Sequence, residues 1–264
     1  MLEFEFMQRA LVAAILVGVV CGLLGFFVIL RKLSFIGIGI SHSALGGVAV
    51  GLLLGIHPLL AGGAFALAVA LGIAWMGPRT RLSEDAIIGV FFSASMALGV
   101  VLFSLERGYQ QDLFSYLFGN VLAISTGELV ALAAIGAGIA LTVAAVFRPL
   151  LFVSFDEEIA RAYGQRVDGL NALLLILVAL TIVIGVRLVG VLLIQALLVI
   201  PAASAALWTA NYRSQLALST AFGATCGAVG LALSYQFDIA AGGSIVLVAT
   251  AVFAVSAVAG SARA

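Results

Sequence analysis

The chain has 264 residues, 64% of them hydrophobic and 9% charged, with twelve basic residues balancing twelve acidic ones. Its mean hydropathy is +1.29, whereas a water-soluble domain carries about a quarter charged residues, so a soluble fold is excluded, and the absence of a basic surface argues against nucleic acid. Long apolar runs without period-two alternation predict membrane-spanning helices, because lipid forces each backbone amide to be satisfied within its own segment or a closed barrel.

In chain order, spans of about 20 residues are expected near 10–30, 36–56, 59–77, 86–105, 127–147, 169–186, 188–208, 215–235 and 243–260. The stretch 169–208 is nearly continuous, broken by Gly185, Arg187 and Gly190, so the total of about nine spans admits eight or ten. The fold class is an all-α polytopic membrane bundle, with residues 1–264 forming one transmembrane domain. DLFSYLFGNVLAIS, 112–125, is too short and too polar to cross and reads as a re-entrant or interfacial helix.

Arg and Lys in short loops are retained on the cytoplasmic side. Placing Arg31 and Lys32 inside also puts Arg79, Arg81, Arg148, Arg161, Arg166, Arg213 and Arg263 there, nine basic residues against Arg9, Arg107 and Arg187 outside. The N-terminus, with Glu3 and Glu5, is then outside. No basic region precedes the first apolar core as in a cleaved signal peptide, so that span is expected to be retained.

Close backbone approach at small residues supplies much of the contact between helices in lipid. The first span offers Gly18 and Gly22, the second Gly39, Ser43, Gly47, Gly51 and Gly55. Cys21 and Cys226 have no pairing pattern and read as packing residues.

His42 lies about 100° around the helix from that stripe and about 10 Å from the cytoplasmic start of its span. An ionisable group at this depth normally faces a cavity, a partner or a transported ion, and neutral imidazole is a ligand for zinc, manganese and iron. A hydrogen bond to a neighbouring carbonyl is the structural alternative. His57, the other histidine, is about 22 Å further along a continuous helix, too far to share an ion. Preceding Pro58 at the outer mouth, it reads first as a turn residue and second as a contact for incoming metal.

Three further stretches carry information. LSEDAIIG, 82–89, starts a span with Ser83 as N-cap and Glu84 and Asp85 in the first turn. SFDEEIARAYGQRVDG, 154–169, is the longest polar segment, a short cytoplasmic helix with Asp156, Glu157 and Glu158 in its first turn and Arg161 after them, an order that suits the helix dipole. It is either a loop element or a docking surface. In GVRLVGVLLIQALLVIPAASA, 185–205, Gln195 lies within a span and Pro201 kinks it, suiting a pathway wall or static packing.

The power source is constrained by the lysines. A P-loop needs G-x-x-x-x-G-K-[ST], and the single lysine, Lys32, is preceded by Arg31, so this chain is not an ATPase and carries no cofactor of its own. An ATPase partner or an ion gradient must drive it. A gradient-driven secondary transporter should place acidic residues deep within spans and show inverted repeats; neither is found. An intramembrane serine protease needs Ser and His on separate helices, whereas Ser41 and Ser43 adjoin His42 on one.

The segments RKLSFIGIGISHSALGGVAVG, LSEDAIIGVFFSASMALGVVL, DLFSYLFGNVLAIS, FDEEIARAYG, ALTIVIGVRLVGVLLIQALLVIPAASAAL and YQFDIAAGGSIVLV, in this order, carry a resemblance covering almost the whole chain. It resembles the membrane-spanning permease subunit of bacterial ABC importers for zinc, manganese or iron. The resemblance implies a permease homodimer in the inner membrane, two cytoplasmic ATPases that bind ATP, an extracytoplasmic metal-binding protein, and a divalent metal ion as cargo. It also implies that Phe155 to Gly164 is the coupling helix, with Phe155, Asp156, Glu157, Glu158, Ala162 and Gly164 engaging the ATPase, and that His42 is the histidine that contacts the metal on its way. Two positions depart from the pattern. Ile38 stands where members often have an aspartate one turn before that histidine, which removes a hard oxygen ligand. Asp238-Ile239-Ala240-Ala241-Gly242 lacks the proline of Asp-x-Pro-x-Gly, a change expected to loosen that turn, and retains Asp238 as a weak metal candidate. A permease that held its ion tightly would not release it, so the identity of the metal is left open.

Overall fold

A computed structural model describes residues 4–105 and 124–261. Among the described residues the chain forms α-helices and one short 3-10 turn, Gly77–Arg79, with no strand. The helices are α1 (Glu5–Leu30), α2 (Ile36–Leu53), α3 (Pro58–Met76), α4 (Glu84–Leu105), α5 (Thr126–Ala145), α6 (Phe147–Phe155), α7 (Glu157–Ala162), α8 (Val167–Val189), α9 (Val191–Trp208), α10 (Tyr212–Phe237) and α11 (Ala241–Ser261). Eight of them are long and apolar enough to cross a membrane, and α9 adds a shorter apolar helix over Leu193–Trp208, in keeping with the expected range. Of the segment 112–125, residues 112–123 lie outside the described part, so the re-entrant helix expected there is not tested.

Helix ends follow local chemistry. Ser83 Oγ accepts from the Ala86 amide at the start of α4. Ser125 and Glu128 form a capping box on α5, each side chain accepting from the other residue's amide, which satisfies two amides that have no partner within the helix. Two boundaries differ from expectation. The break in 169–208 falls at Gly190 alone, where φ is 84°, a conformation open to a residue without Cβ; Gly185 remains inside α8. Helix α6 was not expected, because Arg148-Pro149 reads as a loop. Pro149 is its third residue, within the first turn, where a proline leaves no intrahelical bond broken.

The chain divides into two compact units. The first holds α1, α5, α9, α10 and α11, with α1 central against α5, α9 and α10. Where α1 and α10 cross, a Cβ on Gly18 would fall on the Gly223 carbonyl and one on Gly223 on the Gly18 carbonyl. Ala14 meets Gly227 and Gly22 meets Ser219 along the same seam, and Ser219 Oγ donates to the Gly22 carbonyl at 2.6 Å. This is the small-residue packing expected of Gly18 and Gly22, with the partner stripe now identified. Trp208 Nε1 donates to Ser256 Oγ at 2.8 Å, tying the end of α9 to α11. Cys21 and Cys226 are free and buried.

The second unit holds α2, α3, α4, α6, α7 and α8 as far as Ile184. Here α2 lies between α3 and α4. Its stripe divides between them, with Gly47 and Gly51 facing Ala61 of α3 and Gly39 facing Ile88 of α4. Gly46, off the stripe, also meets α4: a Cβ there would stand 2.7 Å from the Ser95 carbonyl oxygen.

Candidate functional site

Within the second unit two places concentrate polar chemistry on an apolar framework. The first is His42, on α2 about 9 Å beyond its first residue. Its ring packs edge-on against Phe92 of α4, with centroids 5.4 Å apart. Nδ1 lies 3.0 Å from the Ile38 carbonyl oxygen, and Ser41 Oγ, 3.4 Å away, itself reaches that carbonyl at 3.3 Å. A carbonyl only accepts, so this contact is a hydrogen bond in the tautomer with the proton on Nδ1, in which Nε2 is the acceptor nitrogen. Metal-ligating histidines are oriented in this way, one ring N–H spent on a carbonyl and the other nitrogen turned to the ion. The carbonyl partner expected for His42 is therefore present on Nδ1, and a metal contact would fall to Nε2.

The other metal candidates fall elsewhere. His57 is exposed at the N-cap position of α3, with Pro58 following and no side-chain cap bond; the Leu60 and Ala61 amides donate to its carbonyl. Asp238 is the exposed C-cap of α10 in the left-handed conformation, φ 51°. The turn that lacks the proline is closed by Ser234, whose hydroxyl donates to the Ile239 carbonyl at 2.6 Å and whose carbonyl accepts the Ile239 amide at 3.2 Å. Among the described residues no three His, Cys, Asp or Glu side chains gather as a metal-holding group. Gln195 is half-buried on α9, and Pro201 is buried inside that helix, which continues to Trp208.

The second place is the polar segment around α7. Asp156 caps it, Oδ1 accepting from the Ile159 amide at 2.9 Å. Its far end is a Schellman turn. Gly164, at φ 78°, donates to the Arg161 carbonyl, and the Gln165 amide reaches back to Ala160. Ala160, Val153 and Val167 form a small buried core beneath, flanked by Phe152 and Leu170. The Arg161 guanidinium donates to Asp168 Oδ1 at 2.7 Å, which raises its pKa above the ordinary arginine value and ties α7 to the start of α8. Phe155 is the last residue of α6, so the segment 155–164 expected to form one helix is divided between α6 and α7 at Asp156. Phe155, Ile159 and Tyr163, four residues apart, are 62%, 49% and 77% exposed, so this apolar set is presented outward beside exposed Glu158 and Ala162.

Glu157 turns the other way. Arg31, whose side chain is 5% exposed, donates through Nη2 to Glu157 Oε1 at 2.6 Å and to Glu84 Oε1 at 3.1 Å. Its Nη1 donates to Asn171 Oδ1 at 2.7 Å, and Asn171 Nδ2 donates to Glu157 Oε1 at 2.9 Å. One guanidinium thus joins α4, α7 and α8. Sequence reading used Arg31 for topology and Glu84 for helix initiation but did not pair them, and it passed over Ile159 and Tyr163, although their spacing from Phe155 was visible.

Against known proteins, residues 3–260 match the ABC 3 transport family. The chain belongs to that family. It is a membrane-spanning permease of the ABC class and a multi-pass protein of the bacterial cytoplasmic membrane. It is 38% identical over 253 residues to the manganese transport system membrane protein MntC of Listeria monocytogenes, covering 96% of this chain and 90% of that one. A probable iron transport system membrane protein of Haemophilus influenzae is 36% identical over 256 residues, 97% of this chain and 94% of the relative. Among solved structures, PsaBC from Streptococcus pneumoniae in complex with Fab superposes with a TM-score of 0.82 at 39% identity, over 96% of this chain and 91% of that one.

Proposed function

We propose that this permease provides the translocation path of an importer for divalent transition-metal ions, manganese or iron foremost and zinc included, working as a homodimer with two cytoplasmic ATPases and an extracytoplasmic metal-binding protein. Residues 1–264 act as one permease domain. Full-length likeness to relatives named for manganese and iron transport supports the cargo class. The observation that carries the mechanism is the exposure of three large apolar side chains in the predicted cytoplasmic segment: Phe155 at the end of α6, Ile159 within the capped helix α7 and Tyr163 at its C-cap. Large apolar side chains presented in a row to water favour burial by a partner, and a six-residue helix wedged between α6 and α8 is suited to move with whatever grips it. ATP is hydrolysed on the partner; the closing ATPases shift α7, and the second unit carries His42 with it.

His42 Nε2 makes a passing contact with the ion. With Ile38 in place of a carboxylate, that contact is soft and weak, as release requires. His57 serves as a turn residue, and Asp238 as a helix cap with at most a peripheral role. Gln195 and Pro201 line or pack the path.

The test is docking. Ile159→Asp and Tyr163→Asp should each leave the permease in the membrane and abolish co-purification of the ATPase, because desolvating a carboxylate at an apolar contact costs several kcal/mol. Unchanged ATPase recovery and unchanged manganese uptake in both variants would overturn the assignment of α7.

A further inference from the structure

Arg31 stands in an unusual position for a basic residue used to orient a membrane protein. A charge that only marks the cytoplasmic side needs water and no partner, whereas this guanidinium is withdrawn from solvent and, among the described residues, bonds to three other elements: Glu84 at the first turn of α4, Glu157 at the first turn of α7, and Asn171 near the start of α8. Glu157 is held twice, by Arg31 and by Asn171, so α7 cannot shift without moving or breaking these bonds. The planar fork of arginine supplies the fixed geometry that lets one side chain serve three partners.

Two routes lead from this cluster to His42. Along the chain, α2 begins five residues after Arg31 and bears His42 eleven residues after it. Through space, α4 starts at Glu84 and two turns later presents Phe92 to the His42 ring. The two helices touch above and below that contact, at Gly39 with Ile88 and at Gly46 with Ser95, so a displacement of the α4 terminus is delivered to the ring as a rigid movement.

We infer that Arg31 is the positioning residue that transmits movement of α7 to the His42 region, with Glu84 as its output to α4 and Asn171 as the bracket that holds Glu157 in line. This rests on the reading of α7 as the docking element. Arg31 touches neither metal nor nucleotide. Its loss lets ATP hydrolysis continue while transport falls.

The experiment is the ratio of manganese transported to ATP hydrolysed by the permease reconstituted in vesicles with its ATPase and metal-binding protein. Arg31→Lys keeps the charge and loses the fork; Glu84→Gln keeps the shape and loses the output charge, leaving the Phe155, Ile159 and Tyr163 face untouched. Both should retain ATPase association and hydrolysis while manganese moved per ATP falls about tenfold, the worth of one charge-assisted hydrogen bond in an equilibrium. If Arg31→Lys does not accumulate in the membrane, Glu84→Gln decides alone. A ratio equal to wild type, or loss of ATPase association in Glu84→Gln, overturns the inference. Failure of the docking reading shows separately, as retention of the ATPase by Ile159→Asp.

Discussion

At His42 the ring is held from one side: Nδ1 lies 3.0 Å from the Ile38 carbonyl oxygen, so the metal contact proposed above falls to Nε2. His42→Ala should therefore lower manganese uptake about tenfold or more, the scale on which altered ligand shells act, without loss of membrane-inserted protein; normal uptake of zinc, manganese and iron would leave the histidine only its hydrogen bond. Ile38→Asp would place a carboxylate one turn from the ring, and a hard oxygen beside an imidazole favours manganese. The expected outcome is tighter retention of manganese by the purified permease and slower release, read by isothermal titration and vesicle uptake. The depth of His42 was legible from sequence because depth follows from counting residues along a helix. The Arg31 cluster was not, because its partners lie 53, 126 and 140 residues away, and no local pattern encodes which distant side chains a guanidinium meets.

Among the elements, α7 is the one whose existence depends most on single residues, since six residues form too short a helix to persist without its caps. Asp156 closes its first turn and Gly164 its last. Gly164→Ala forces a Cβ into a left-handed conformation and should cost about 1–2 kcal/mol, read as a lower melting temperature of the detergent-solubilised permease and as weaker ATPase recovery. A matched contrast tests the α1–α10 seam. Gly223→Leu drives a side chain into the Gly18 carbonyl and should sharply reduce the yield of folded protein, whereas at Gly138, where an added Cβ meets nothing within 4 Å beyond its own helix backbone, leucine should not reduce the yield. Equal behaviour of Gly223→Leu and Gly138→Leu would remove the seam from the packing account. The helix start at Ser83 was readable because a cap is a bond between residues three apart. Helix α6 and the single break at Gly190 were not, because a proline in a first turn and a glycine inside a helix are each compatible with two backbones until neighbours choose.

For the molecule as a whole, the orientation expected in the membrane rests on the nine-to-three distribution of basic residues. Cysteine placed at Tyr163 should react with an impermeant thiol reagent only when the cytoplasmic face is open, and cysteine at His57 only from the outside, with the buried Cys21 and Cys226 giving a low background; the reverse pattern would invert the topology and remove α7 from the reach of any ATPase. Sequence by itself determined that this protein lives in a membrane, about how many times it crosses, which helices carry small-residue stripes and which polar segment stands apart. These properties depend on transfer free energy and on periodicity along one helix, and both are sums over neighbouring residues. Tertiary structure alone decided which nitrogen of His42 is committed, that Glu157 faces Arg31 while Ile159 and Tyr163 face outward, and that Gly18 meets Gly223. Each of these depends on the approach of segments far apart in the chain, where a few tenths of an ångström in packing select one pairing among many that composition alone would permit.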